Sequence, residues 1–392
     1  MSVTALWAFL VPALAAQQDP FEDLDRKAPP PPAARDERGW VDRFLDDNFT
    51  FKKEIYSQFS YDTGEPRGGD TFADDVYSRQ SLGFEILKKF STDTATVAAV
   101  NVQGRLVRRD HFLETVNDME GEDREGWYFE IHNFYADLYN PLIFGALNVR
   151  AGHFYLPFGI NLQTDTHGTV LQLSNDRNVG FERDWYAGFW GSLSADLDYD
   201  AYYLVGSGAG VRFEGQDGLA GVRLRLSDRW HALHGIQAGV AVLYGRRLDD
   251  HALMRSASVA ASAGPDGFVG TERVGVDGHW VLATDAGQFT FTAEASVGRD
   301  EEDDVFTQLY QVELLTGRRQ WGLSAQYRRF WQDLAGPEDV DASLIGEVAW
   351  YFRNDPSGAF LHSLRLNAER RLERQMGGDD EWVITLQYYL YW

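Results

Sequence analysis

From Phe49 to Trp392 the chain repeats one theme: segments of roughly nine to fourteen residues alternate apolar with polar, and turn-rich stretches separate them. A period of two puts successive side chains on opposite faces of an extended strand. In the last segment Trp382, Ile384, Leu386, Tyr388, Leu390 and Trp392 share one face, and Thr385, Gln387, Tyr389 and Tyr391 the other. Leu364, Leu366 and Ala368 alternate with Arg365, Asn367 and Glu369. Phe289, Phe291, Ala293, Ala295 and Val297 alternate with Thr290, Thr292, Glu294 and Ser296, and Ala220, Val222, Leu224 and Leu226 with Gly221, Arg223 and Arg225. No segment carries a sustained helical period. No uncharged apolar run beyond the N-terminus approaches the ~20 residues of a membrane-spanning helix. The pattern predicts an all-β chain with strands near 49–60, 77–90, 94–109, 127–138, 142–154, 184–196, 198–206, 217–227, 235–247, 269–283, 287–299, 304–316, 320–332, 341–353, 359–372 and 381–392.

The connections restrict the fold further. Long ones (Thr63 to Val76, Asp110 to Gly126, Gly159 to Arg183, Leu248 to Val269) alternate with tight ones such as Ser91-Thr92-Asp93, Asn140-Pro141, Asp196-Leu197-Asp198 and Gly317-Arg318-Arg319. A soluble sandwich shares the period of two but keeps its polar face outside. Short turns on one side, long loops on the other and aromatics near strand ends (Trp280, Trp321, Trp350, Trp382, Trp392) point instead to a membrane. The expected fold is a transmembrane antiparallel β-barrel of about 16 strands, with short periplasmic turns and long extracellular loops, over 49–392. An even strand number puts both ends of the barrel on the short-turn side.

Two segments precede it. Leu6 to Leu14 is apolar and Ala13-Leu14-Ala15 has the small-x-small form of a cleavage site, so residues 1–16 read as a signal peptide. Residues 17–48, with Pro29-Pro30-Pro31-Pro32, read as a stiff periplasmic leader. Aromatics make up 14% of the chain, a load that two interfacial girdles would explain. There is no cysteine, which excludes disulfides, thiolate metal sites and c-type haem attachment within the chain. The net charge of −24 makes nucleic acid an improbable partner and suits loops in a cation-bridged lipopolysaccharide layer.

The C-terminus, Leu386-Gln-Tyr-Tyr-Leu-Tyr-Trp392, is similar to the terminal strand of outer-membrane barrels, whose aromatic end is read by the barrel-assembly machinery. Arg150-Ala-Gly-His-Phe-Tyr-Leu-Pro-Phe-Gly159 resembles the Gly-x-Phe-x-x-Pro-Phe-Gly segment of the phosphate-selective porin O/P-like family, through Gly152, Phe154, Pro157, Phe158 and Gly159. In that family the segment ends a strand and leads into a loop inside the barrel. The resemblance implies a Gram-negative outer-membrane porin, embedded in lipid and lipopolysaccharide and often trimeric. The family's phosphate-binding members use lysine-rich pore ladders, whereas lysine occurs here only at positions 27, 52, 53, 88 and 89. The resemblance therefore carries the fold and the pore, and not the substrate.

Two groups of site residues follow. The connection from Gly159 to Arg183, with Phe158, Gly159, Asn161, Asp165, His167, Asp176 and Arg177, would narrow a pore if it folds inward. The polar strand faces offer Arg105, Glu130, Arg150, Arg223, Arg225, Glu294, Arg328, Glu347, Arg365 and Glu369 as pore-lining charges. These would form either opposed rows with a transverse field or neighbouring ion pairs that keep a wet lumen ordered. Asp300-Glu-Glu-Asp-Asp304 reads as a solvated acidic loop more readily than as a calcium site. No grouping of Ser, His and acid suggests a hydrolytic triad, and no enzyme, cofactor or metal is expected. The expected function is passive diffusion of ions or small polar solutes through a water-filled channel in the outer membrane. The alternative is a barrel sheath around a partner such as a multihaem cytochrome.

Overall fold

The computed structural model describes the chain from Phe49 to Trp392, except residues 64–75, 93–94, 111–125, 142–146, 161–169, 172–174, 176–177, 209–210, 212–216, 227–234, 249–267, 334–338, 356–357 and 375–380. The expected signal peptide and leader, residues 1–48, lie outside the described residues.

Sixteen strands follow one another: β1 (Phe49–Asp62), β2 (Val76–Ser91), β3 (Thr96–Asp110), β4 (Gly126–Tyr139), β5 (Asn148–Tyr155), β6 (Arg183–Ser194), β7 (Leu197–Leu204), β8 (Leu219–Leu226), β9 (Ile236–Leu248), β10 (Phe268–Thr284), β11 (Gly287–Asp300), β12 (Asp303–Thr316), β13 (Trp321–Gln332), β14 (Asp339–Asn354), β15 (Leu361–Arg374) and β16 (Trp382–Tyr391). Each pairs antiparallel with its neighbours in sequence, and β1 pairs with β16, so the sheet closes and has no free edge. Every expected strand is present. The largest departure is β5, which begins at Asn148 rather than 142, and residues 142–146 lie outside the described residues.

The two faces part as the alternation requires. Val222, Phe291, Leu366 and Leu386 are exposed on the outer surface, while Arg223, Thr290, Asn367 and Gln387, each one position away, are buried inside. Hydrophobic outside and charged inside is the inverse of a soluble sandwich, and it suits a hydrocarbon surround. Around the short-turn rim the outward aromatics touch in series. Trp321 stacks on Trp350 at 6.0 Å, Trp350 meets Phe352 at 4.3 Å, and Phe352 lies on His362 at 4.4 Å. Trp280 stacks on Phe291 at 5.3 Å.

The connection between β11 and β12 lies on the long-loop side, yet it is a two-residue turn, Glu301-Glu302. The expected acidic loop is therefore a hairpin tip. Its first residue, Asp300, is fully buried, so it is not a solvated charge.

Candidate functional site

At the end of β5 the chain leaves the wall and turns into the barrel. Two glycines make this route open. Gly152 has φ +135°, and a Cβ there would collide with the Phe134 carbonyl and the Tyr135 backbone of β4. Gly159 has φ +62°, and a Cβ there would run into the carboxylate of Glu294 on β11. Only a residue without a side chain fits both the conformation and the space. The peptide N–H of Ile160 then donates to Glu294 Oε2 at 2.8 Å. Strand β11 is six strands from β5 around the barrel, so this contact spans the lumen.

The returning part of the connection is held as firmly. Val179 and Gly180 donate to the carbonyl of Asn175, which closes one helical turn, and the Asn175 side chain donates to the carbonyl of Phe158 at 2.7 Å. Arg273 of β10 grips the end of that turn. Its Nε donates to the Asn178 carbonyl (2.9 Å) and side-chain oxygen (3.0 Å), and its Nη2 donates to the Asn178 carbonyl (2.8 Å) and to Asp300 (2.8 Å). Its Nη1 donates to the carbonyls of Glu272 and Arg299. Every guanidinium nitrogen thus has an acceptor, which is what a fully buried arginine requires. Asp300 also pairs with buried Arg247 at 3.3 Å.

Under these latches lies an apolar cluster. Leu156, Phe158, Val179 and Phe181 of the in-folded segment pack with Phe154, Tyr155, Tyr186, Tyr202, Leu204, Leu219, Ala241 and Leu243 of the wall. Phe158 reaches across to β10, where a Cβ on Gly275 would stand 2.8 Å from its ring. Of the residues expected to form a constriction, Phe158 and Gly159 sit at this crossing. Asn161, Asp165, His167, Asp176 and Arg177 lie outside the described residues.

The ten strand charges all have partners close by. Arg105 is fully buried between Glu54 (2.8 Å) and His132 (2.8 Å). Glu130 lies 3.6 Å from Arg79 and 3.9 Å from Arg183, which also bonds the His132 ring. Arg150 makes a two-point contact with Asp137 at 2.7 and 2.8 Å. Arg223 pairs with Asp277 at 2.7 Å and Arg225 with Asp198 at 3.8 Å. Arg328 meets Glu369 at 3.3 Å and Asp341 at 3.5 Å, and Arg365 meets Glu347 at 2.9 Å. Glu294 holds the in-folded segment. Each of these six arginines finds its carboxylate one or two strands away. Of the two arrangements the residues allowed, neighbouring ion pairs are the one present, and they cancel most of the field that opposed rows would make.

Sequence reasoning missed Arg273 and the His132–Arg183 contact; it placed Asn178 in the connection without a partner, and it read Asp300 as part of a solvated loop rather than as a buried ion-pair partner. The alternation of Thr271, Arg273, Gly275 and Asp277 marks the inward face of β10, but nothing in it says which side chain meets a loop 95 residues away in sequence. Among the described residues no group of three or more His, Asp or Glu could hold a metal ion.

No family model and no curated protein matches the chain. Solved structures do. OmpT of Vibrio cholerae, described as an outer membrane protein in trimer form, aligns with a TM-score of 0.54 at 10% identity, over 88% of this chain and 99% of that one. OprB of Pseudomonas putida aligns with a TM-score of 0.59 at 10% identity, over 89% and 96%. An anion-selective porin from Comamonas acidovorans aligns with a TM-score of 0.52 at 10% identity, over 88% and 98%. At such identity the likeness is one of fold: a closed barrel of porin architecture.

Proposed function

We propose that the chain is an outer-membrane porin, a water-filled channel for passive diffusion of ions or small polar solutes. The observation that carries this reading is the Ile160–Glu294 contact, where a connection leaving one wall is fixed against the opposite one. A segment anchored there narrows the bore without closing the barrel, and the charged inner face keeps the passage polar. The outward apolar surface and its aromatic rim suit a bilayer. In this reading residues 1–16 direct export, residues 17–48 lie in the periplasm, and Trp392 ends the strand that the assembly machinery recognises. Lipid and lipopolysaccharide surround the wall, and three copies assemble, as the trimeric likeness to OmpT suggests. The likeness to the phosphate-selective porin O/P-like family belongs to the same proposal for its Gly152 to Gly159 segment only.

The sheath reading is weaker for a physical reason. A partner threaded through the lumen would have to displace Phe158, Val179 and Phe181, which are buried against the wall. Incorporation of the purified full chain into a planar bilayer tests the proposal. Discrete, ohmic conductance steps are expected, and a salt gradient would give the ion preference. A folded barrel that never conducts overturns it.

A further inference from the structure

We infer that the inner wall of β4–β7, on the short-turn side of the in-folded segment, is a stacking subsite for an uncharged, polyhydroxylated ring, a pyranose. The inference rests on the channel reading and adds a class of solute to it.

Pairing in the sheet brings the components together. Tyr139 of β4 is opposite Asn148 of β5, Asn148 is opposite Trp190 of β6, and Trp190 is opposite Asp200 of β7. All four share the inward face, and directly opposed residues keep their Cβ atoms within about 5.5 Å. Two residues further along, Asp137 is opposite Arg150. Tyr139 and Trp190 meet edge to face at 6.0 Å, and both stay partly exposed. This leaves ring surface facing the lumen at a level where the apolar cluster does not cover it.

The polar groups around those rings are half used. Arg150 spends Nε and Nη2 on Asp137, and its guanidinium lies over the rings of Phe154 at 4.0 Å, Tyr135 at 4.6 Å and, more distantly, Trp190 at 5.6 Å, which leaves the rest of the partly exposed Trp190 and Tyr139 rings to the lumen. Its Nη1 makes no hydrogen bond among the described residues. Asp200 offers acceptors on the other side of the tryptophan. The site thus presents fixed donors, fixed acceptors and an aromatic face together.

The charge balance selects the ligand. A free anion would want the planar fork of an arginine, but Asp137 already fills the fork of Arg150. A free cation would want an empty aromatic cage, but the Arg150 guanidinium occupies it. An uncharged ring with hydroxyls at its edge and C–H groups on its face uses what remains: the ring surface, Nη1 and the carboxylate of Asp200.

The test uses the full-length protein in a planar bilayer, with maltotriose as the neutral probe and benzoate as the anionic one. Maltotriose is expected to block the ion current in a concentration-dependent way. In Trp190→Ala the half-blocking concentration, read against that variant's own sugar-free current, is expected to rise at least about tenfold. Trp190→Phe, which keeps a ring, should retain most of the block and guards against a simple folding defect. A conducting channel that maltotriose does not block, a block that Trp190→Ala leaves in place, or tighter block by benzoate than by sugar would overturn the inference. A barrel that does not conduct defeats the channel reading alone. The subsite is then judged by tryptophan fluorescence of the folded protein. A maltotriose titration that is present in the parent and lost in Trp190→Ala supports it, and no titration in the parent overturns it.

Discussion

The inner wall of β4–β9 and the inner wall of β10–β16 are built on the same alternation, yet they hold different interiors. Along β4–β9 the inward positions carry Tyr135, Phe154, Tyr186, Tyr202, Leu219 and Leu243, and a segment of the chain itself packs over them. Along β10–β16 they carry Asp277, Glu294, Ser296, Arg328, Glu347, Arg365 and Thr385, joined by ion pairs and hydroxyl contacts. One wall gains stability from apolar area removed from water, which is non-directional and scales with area. The other rests on local pairs, each contributing modestly once desolvation is counted. The two meet at Glu294 and Arg273, polar-wall residues whose bonds hold the apolar segment in place.

Substitutions on either side should break or sharpen that contrast. The largest effect is expected from Phe158→Ala, which empties a fully buried aromatic site and costs about 3–5 kcal/mol of local stability. Proteolysis of the folded barrel should then cut in the β5–β6 connection, and single-channel recordings should show larger, noisier steps. An unaltered trace would mean that the apolar wall does not set the bore.

Arg273→Met comes next, at about 1.5–3 kcal/mol for charged hydrogen bonds lost at buried acceptors. Asp300 keeps Arg247, so the damage should fall on the Asn178 turn rather than on the barrel. The expected result is a second, wider conductance level beside the parent one. Uniform loss of the folded, heat-modifiable band on gels would instead make Arg273 a residue of the wall itself.

Glu294→Gln should do less. The amide oxygen can still accept from Ile160, so the segment stays and only a charge is lost, at about 1 kcal/mol. Conductance should change little while the reversal potential moves toward anions. If the potential stays fixed, Glu294 does not face the permeating ions.

The smallest effect belongs to Thr385→Val, on the polar wall far from the segment. It removes the 2.9 Å contact with Ser60 across the β1–β16 seam. A cost of about 0.5–1.5 kcal/mol should appear as a slightly lower unfolding temperature in detergent. A large drop would show that the closing seam depends on this pair more than its hydrogen bonding suggests.

The amino-acid sequence by itself determined the strands, their faces and the closure into a barrel. These follow from local rules: a side-chain period of two, turn residues at fixed intervals, and aromatic belts where a bilayer ends. It also marked the Gly152 to Gly159 segment, through its resemblance to the phosphate-selective porin O/P-like family, and the structure supplied the reason for the glycines, the lack of room for a Cβ. It named the ten inward charges, because their alternation with apolar neighbours is visible along each strand. Only the tertiary structure decided which charge meets which. Arg223 and Asp277 are two strands apart in the sheet but 54 residues apart in the chain, and no local pattern encodes that distance. The same holds for the course of the in-folded segment. Its sequence says that it turns, while its destination depends on a pocket assembled from six strands and on a buried arginine, Arg273, whose Nε and Nη2 donate to the Asn178 carbonyl. Strand geometry is set by neighbours in sequence, whereas occupation of the lumen is set by neighbours in space.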